Sequence, residues 1–128
     1  KIEEVFYKYS GSVYTSMIVV EEASSGYAII DELKATTPLN IYSYPKPQDS
    51  KYAIFMSNQN IFKSKRVKLI NDTFAGRLWN KKFINKLTNY PNVRHDEEID
   101  CMNMAIDILI KAKRRNEAVK GRQIFTFD

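Results

Sequence analysis

The stretch that decides the fold is IVVEEASSGYAIIDEL, which runs from residue 18 to residue 33. The apolar residues at its start predict a strand over residues 13–20, and a continuous apolar run is typical of a strand that is covered on both faces. Ser24 or Ser25 is expected to cap the helix that follows. That helix carries its apolar residues at helical spacing and is expected to close by Pro38. The stretch therefore predicts a strand that leads directly into a helix.

The rest of the chain alternates between helical and strand patterns in the same way. An alternation of helices and strands favours an α/β fold with a mixed sheet. The further helices are expected over residues 1–9, 50–62, 78–89 and 96–115, and the further strands over residues 40–44 and 67–70, with a short strand or a frayed end at 123–128.

The composition is that of a single globular domain spanning residues 1–128. Hydrophobic residues make up 44% of the chain and charged residues 27%, which disfavours bulk disorder. One cysteine and one histidine exclude an internal disulfide and a zinc site of the Cys/His type. We expect a soluble, intracellular protein without a membrane segment, because the sequence has no secretory leader and no apolar run of about eighteen residues. Because the first residue is Lys1 rather than methionine, the chain is expected to be a piece of a longer protein.

The net charge is +5, and the excess is concentrated in the basic C-terminal segment, residues 111–128. Between residues 111 and 122 stand six basic residues and one acidic residue, a balance that equals the net charge of the whole chain. Such a block favours a polyanionic partner. The alternative is a solvated helix end, where basic side chains complement the helix dipole. The basic residues are Lys111, Lys113, Arg114, Arg115, Lys120 and Arg122.

Two acidic residues, Glu21 and Glu22, directly follow the first apolar strand. In open α/β sheets, ligand-binding groups collect at the carboxyl ends of the strands. The pair is therefore a candidate binding site. The alternative is that charges stand here only because the chain reaches water at the end of the strand.

A second acidic cluster stands at the start of the last long helix, in the sequence HDEEID of residues 95–100. Acidic residues in a first helical turn complement the helix dipole. However, Asp96 and Asp100 form a like-charge pair one turn apart, which costs about 0.2–0.5 kcal/mol. A divalent cation would turn this cost into a gain, since Mg²⁺ and Mn²⁺ prefer carboxylate ligands. His95 is either a capping or packing residue, or a group that orients a carboxylate or relays a proton.

Four blocks of the sequence resemble the nuclease part of phage terminase large subunits. Residues 18–33 are similar to that family's block of strand, acid, small residues, glycine and helix, and Lys51 takes the place of a basic residue that opens the next helix. The sequence RVKL at 66–69 resembles the family's G-R-V strand. The most specific block is YPNVRHDEEIDC at 90–101, which is similar to F-P-x-G-x-H-D-D-x-V-D-A. The order and spacing of the blocks agree over nearly the whole of residues 15–110.

The resemblance implies an RNase H-like fold, in which helices flank a mixed sheet, and a metal-dependent endonuclease that cuts concatemeric double-stranded DNA during genome packaging. It also implies a two-metal site for Mg²⁺ or Mn²⁺, in which two ions would clamp the attacking and leaving oxygens of a phosphodiester. Matched residue by residue, the implied metal-binding and catalytic positions are Glu21, with Glu22 as its alternative, Asp96, Glu97 in place of the family's aspartate, and His95 and Asp100 in supporting positions.

The implied partners are double-stranded DNA, the portal protein and the small terminase subunit, in the cytoplasm of a host cell. The family's first acidic ligand lies on a strand upstream of the glutamate strand, so we expect the domain to be truncated at its N-terminal side. A non-catalytic DNA-binding or packaging-assembly module, such as an inactive prophage remnant, is the alternative. Another RNase H-like enzyme, such as a transposase or a resolvase, is a third. The expected DNA-binding residues are Lys51, Lys111, Lys113, Arg114 and Arg115.

Overall fold

The structure is a computed structural model that describes residues 17–111 together with Ile2 and Glu4. Both of those early residues are helical, as the pattern over residues 1–9 predicts. The first half of the predicted strand 13–20 and the basic segment beyond Lys111 lie outside the described residues. The chain divides into two compact units, Lys1–Gln48 and Asp49–Asp128, and each is described by itself.

The first unit is a strand–helix–strand arrangement. Strand β1 (Ile18–Glu21) leads into helix α1 (Gly26–Thr36), and strand β2 (Ile41–Tyr44) follows. The two strands pair in parallel, with Ile18 opposite Ile41 and Glu21 opposite Tyr44. This arrangement confirms the mixed α/β class, since parallel neighbours require a crossover such as α1. It also confirms the predicted strand over residues 40–44.

The turn between β1 and α1 depends on a glycine. A Cβ atom at Gly26 would clash with the backbone carbonyl oxygen of Glu21, so only glycine lets the helix begin this close to the strand end. Ser25 occupies the capping position, but its side chain makes no capping hydrogen bond, and in this respect the predicted serine cap is wrong. At the other end, the Thr37 hydroxyl donates to the Leu33 carbonyl oxygen at 2.7 Å and closes the helix as expected.

The second unit is helical. It contains α2 (Lys51–Ser57), α3 (Gln59–Lys63), α4 (Phe74–Asn89) and α5 (Glu97–Ile106), and α5 continues into a π-helical turn over Asp107–Lys111. The helix predicted over residues 50–62 is therefore divided in two at Asn58. The helix predicted to begin at residue 78 begins four residues earlier, because the Thr73 hydroxyl caps it by accepting from the Gly76 N–H at 3.0 Å.

The strand predicted over residues 67–70 is wrong, because this segment has no regular secondary structure. The alternation that suggested a strand is nevertheless real. Val67 and Leu69 are half-buried, while Arg66, Lys68 and Ile70 are exposed. One face of the segment is turned toward the core of the second unit, to which Leu69 packs, but the backbone does not pair with a strand. The alternating pattern therefore reports which side chains are buried and not a β-ladder.

The core of the second unit joins three helices. Phe55 on α2, Phe83 on α4 and Ile99 on α5 form its buried centre. The spacing of the aromatic residues, which fits helices and strands, predicts that they belong to the core. This is confirmed for Phe62 and Tyr90, which pack against that centre. Trp79 differs, since it is 47% exposed. The half-buried residues that pack on the centre are Phe62, Leu69, Leu87, Tyr90, Val93 and Met102.

Helical spacing in the sequence predicts an apolar stripe along the last helix, formed by Ile99, Met102, Ala105, Ile106, Leu109 and Ile110. This stripe is partly confirmed. Ile99 and Ile106 are buried, but Ala105 and Leu109 are exposed. Asn103, which the helical spacing places on the acidic face, is instead buried. The reason is a polar partner inside the second unit, which is described below.

Candidate functional site

A lysine lies between two aspartates at the start of helices α2 and α5. The Lys51 ammonium is 3.2 Å from each carboxylate oxygen of Asp96 and 2.5 Å from Oδ2 of Asp100. Ser50 fixes the start of α2, because its hydroxyl accepts a hydrogen bond from the Ala53 N–H at 3.1 Å. We call these three charged residues, Lys51, Asp96 and Asp100, the Lys–Asp cluster.

The backbone at the start of α5 sets the two aspartates one turn apart. Asp96 occupies the capping position, and its carbonyl oxygen accepts from the N–H groups of Ile99 and Asp100 at 2.9 and 3.0 Å. Its side chain makes no capping hydrogen bond and is directed to Lys51 instead. A side chain that would normally satisfy the helix N-terminus is thus used to hold a cation.

The electrostatics of the cluster favour the charged form of the lysine. The hydrogen bond to Asp100 is the main cause that raises the pKa of Lys51 well above its usual range, and desolvation opposes it. The hydrogen bond to Asp96 raises the pKa further. All three side chains are partly open to solvent, with Lys51 58% exposed, so the ion pairs contribute at most about 1 kcal/mol each to stability.

An aromatic residue borders the cluster. Tyr90 ends helix α4, and its ring centroid is 4.7 Å from that of Phe55 and 6.2 Å from that of Tyr52. Burial raises the pKa of the Tyr90 phenol, and the negative charges of Asp96 and Asp100 raise it further. The phenol therefore stays neutral near neutral pH and adds no charge to the cluster.

The remaining residues of the HDEEID sequence are directed to other partners. The His95 imidazole Nδ1 lies 3.7 Å from Oε1 of Glu97, and both side chains are about 70% exposed. Glu98 accepts from the Lys86 ammonium at 2.8 and 2.9 Å, and this hydrogen bond is the main cause that lowers the pKa of Glu98. The structure thus brings Asp100 to the side of Asp96, whereas Glu97 does not share their partner.

The first unit carries the other predicted ligands at the end of β1. Glu21 is the last residue of that strand, one position beyond the predicted strand end at residue 20, and it is half-buried. Glu22 accepts a hydrogen bond at 2.5 Å from the hydroxyl of Ser43 on β2, and its N–H donates to the Tyr44 carbonyl oxygen at 2.8 Å. Both acids therefore stand at the carboxyl end of a parallel strand pair, where α/β proteins place ligand-binding groups.

The donor set of the Lys–Asp cluster suits a divalent cation only in part. Within residues 17–111 and at positions 2 and 4, no three Asp, Glu, His or Cys side chains are grouped closely enough to hold a metal ion. However, Mg²⁺ is commonly held by one or two carboxylates, while water and substrate phosphates fill its other positions. Asp96 and Asp100 share the Lys51 ammonium, so a divalent cation would have to take the place that this ammonium occupies.

The predicted DNA-binding residues have different surroundings. Lys51 is engaged by the two aspartates, and the Lys111 ammonium donates to the Ser57 hydroxyl at 3.0 Å. The predicted DNA contacts at Lys113, Arg114 and Arg115 lie outside the described residues.

Sequence reasoning missed a buried amide pair beside the cluster. The Asn58 side chain donates from Nδ2 to Oδ1 of Asn103 at 2.8 Å, and Asn58 is fully buried. Its own Oδ1 has no hydrogen-bond partner among the described residues. The one available signal was the polar sequence Ser57–Asn60 inside a helical pattern, because polar residues in mid-helix often mark a break.

No family model, no curated protein and no solved structure gives a significant match to the chain. In the described part of the chain, no helix is both long enough and apolar enough to cross a membrane.

Proposed function

We propose that the chain is the nuclease domain of a phage or prophage terminase large subunit, which cuts concatemeric double-stranded DNA in the presence of Mg²⁺ or Mn²⁺. Two observations support the proposal. The most specific of the sequence blocks that resemble the family contains HDEEID. Asp96 and Asp100 of that block converge on one cationic group. The convergence of these two carboxylates is the observation that carries the proposal.

In this role, Asp96 and Asp100 bind a divalent cation. By the family resemblance, Glu21 is also proposed as a metal ligand, at the carboxyl end of β1. A bound divalent cation would polarise the phosphate and favour an attacking hydroxide near neutral pH. The Lys51 ammonium lies on the same carboxylate oxygens, so a divalent cation that binds them would displace it. The exposed side chains of His95 and Glu97 remain accessible to solvent at the same helix start. By the same resemblance, the portal protein and the small terminase subunit would be partners.

The first experiment measures Mn²⁺ binding by calorimetry for the wild type, Asp96→Asn and Asp100→Asn. We expect each substitution to weaken Mn²⁺ binding at least tenfold. Asp72→Asn is the matched control, since Asp72 is exposed, lies in the same unit and makes no ion pair among the described residues. Equal Mn²⁺ binding by all four proteins would contradict the metal assignment.

The second experiment measures nicking of a supercoiled plasmid with Mn²⁺. Glu21→Gln is expected to lower cleavage as strongly as Asp96→Asn, whereas Glu32→Gln, an exposed position on α1, is expected to leave it unchanged. Cleavage that persists in both Glu21→Gln and Asp96→Asn would rule out these residues as ligands.

A non-catalytic DNA-binding module is the second candidate function. Two observations favour it: the described residues hold no group of three metal ligands, and Lys51 already neutralises part of the acidic charge of the cluster. This candidate predicts DNA binding that depends steeply on salt and is the same in EDTA and in Mn²⁺. Cleavage that requires Mn²⁺ would exclude it.

A further inference from the structure

The most basic part of the described chain is not its C-terminal end but the segment 63–82. This segment holds seven basic residues and one acidic residue, Asp72. Each of the seven is exposed, and none of them takes part in an ion pair within the described ranges. The basic residues are Lys63, Lys65, Arg66, Lys68, Arg77, Lys81 and Lys82.

A groove concentrates two of these charges. Arg77 and Lys81 of α4, together with Asn71, line an open cavity of about 440 Å³. Residues four apart on a helix lie side by side, about 6 Å apart along its axis, so the two cations face the same space. The other lining residues are Leu69, Asn80 and Ile84, and no acidic residue is among them.

The wall of the groove opposite α4 is held in place by one buried amide. The Asn80 side chain is 9% exposed, and its Nδ2 donates to the Ile70 carbonyl oxygen at 2.7 Å. This bond ties the loop before α4 to the helix, and the Thr73 cap fixes the first turn. These two hydrogen bonds fix the backbone on both sides of the groove.

The chemistry of the groove suits phosphate groups rather than nucleobases. None of the residues that line it is aromatic, so it offers no surface on which unpaired bases could stack. The nearby exposed Trp79 stacks on Phe83 with ring centroids 4.8 Å apart and lines a different, apolar cavity with Val67 and Met102. Cations without a stacking platform are typical of contacts to the backbone of a duplex.

We propose that the groove with Arg77 and Lys81 binds the phosphate backbone of double-stranded DNA. The exposed Arg66 and Lys68 extend the same basic segment on the loop that leads to the groove. The inference rests on the proposed function for the choice of DNA among polyanions, and it adds a substrate-binding surface to it. The charge of the groove and its anchoring by Asn80 do not depend on any metal ligand.

The test is fluorescence anisotropy of a labelled duplex in EDTA, at several salt concentrations, with the full chain. Each phosphate contact contributes about 0.9 to the slope of log K against log salt. For the double variant Arg77→Gln/Lys81→Gln we therefore expect a slope shallower by about 1.8. The charge-retaining variant Arg77→Lys/Lys81→Arg is expected to keep the wild-type slope.

The matched control is Lys34→Gln/Lys46→Gln, which removes the same charge from two exposed positions in the first unit. An equal change in slope for the control and the groove variant would overturn the proposal, as would no change in either. Tighter binding of a single strand, or equal competition by polyglutamate at the same charge, would overturn the assignment to duplex DNA. If the groove variant changes the slope but neither Asp96→Asn nor Asp100→Asn weakens Mn²⁺ binding, the result refutes only the nuclease function.

Discussion

The Lys51 ammonium lies 2.5 Å from Oδ2 of Asp100, although 49 positions separate the two residues in the sequence. The same ammonium is shared with Asp96, so one cation offsets the repulsion of a like-charge pair on the helix. This relationship gives the acidic cluster a definite geometry and leads to two predictions about charge.

Lysine and a divalent cation should compete for the two aspartates. In Lys51→Met, we expect Mn²⁺ to bind on the order of tenfold more tightly than in the wild type, because a like charge a few ångströms from the cation is removed. Calorimetric titration measures the change. Lys86→Met, which removes a lysine paired with Glu98, is the control and is expected to leave the affinity unchanged. Weaker binding in Lys51→Met would show that the lysine assists the cation instead.

The contribution of Lys51 to the free energy of unfolding should depend on pH only at the alkaline end of the pH scale. Since the aspartates raise the pKa of Lys51 above its unfolded value, its contribution is complete below the ordinary lysine pKa and is lost as pH rises through the folded pKa. The stability difference between wild type and Lys51→Met, measured by urea unfolding, is therefore expected to be constant from pH 6 to about pH 10 and to shrink above it.

The acidic end of the scale tests a different pair. The Lys86 hydrogen bond lowers the pKa of Glu98 below its usual value, so the contribution of Glu98 is present above the usual glutamate pKa and is lost as pH falls through the lowered value. In Lys86→Met, the part of the acid-induced loss of stability due to Glu98 should disappear. An unchanged acid profile in urea unfolding would contradict the pairing.

Asn103→Leu should destabilise the second unit. The fully buried Asn58 amide would lose its partner while remaining shielded from water, which costs about 1–3 kcal/mol. Asn60→Ala, at an exposed position, is expected to change the free energy of unfolding by less than about 0.5 kcal/mol. The double variant Asn58→Leu/Asn103→Leu should cost less than the sum of the single variants, because both polar groups are then removed.

Gly26→Ala should destabilise the first unit by about 1–3 kcal/mol, because the added methyl group overlaps the Glu21 carbonyl oxygen. Gly76→Ala is the comparison. There the nearest atom is the Thr73 hydroxyl oxygen at 3.0 Å, which can shift, and alanine favours the helix. Thermal unfolding followed by circular dichroism would separate the two, and equal effects would argue against the tight turn after β1.

The sequence predicted the first unit better than the second because its signals are local. An apolar run, a glycine and a proline determine β1, the start of α1 and its end within a short stretch. The segment 66–70 misled the prediction, since an alternating pattern shows which side chains are buried but not whether a partner strand exists. The like-charge spacing of Asp96 and Asp100 indicated a cation, yet nothing in that spacing identified Lys51, which is remote in the chain. The pairing of Asn58 with Asn103 was equally non-local.

The π-helical turn after α5 changes the rotational phase of the helix. A backbone that bonds five residues apart advances each side chain by a smaller angle than an α-helix does. Leu109 consequently rotates away from the direction of Ile106 and stands 68% exposed, although α-helical spacing would place the two on one face. Restoring the α-helical phase over Asp107–Lys111 would turn Leu109 back toward the face of Ile106. The π turn thus acts as an offset in the direction of the side chains that follow α5 within the described residues.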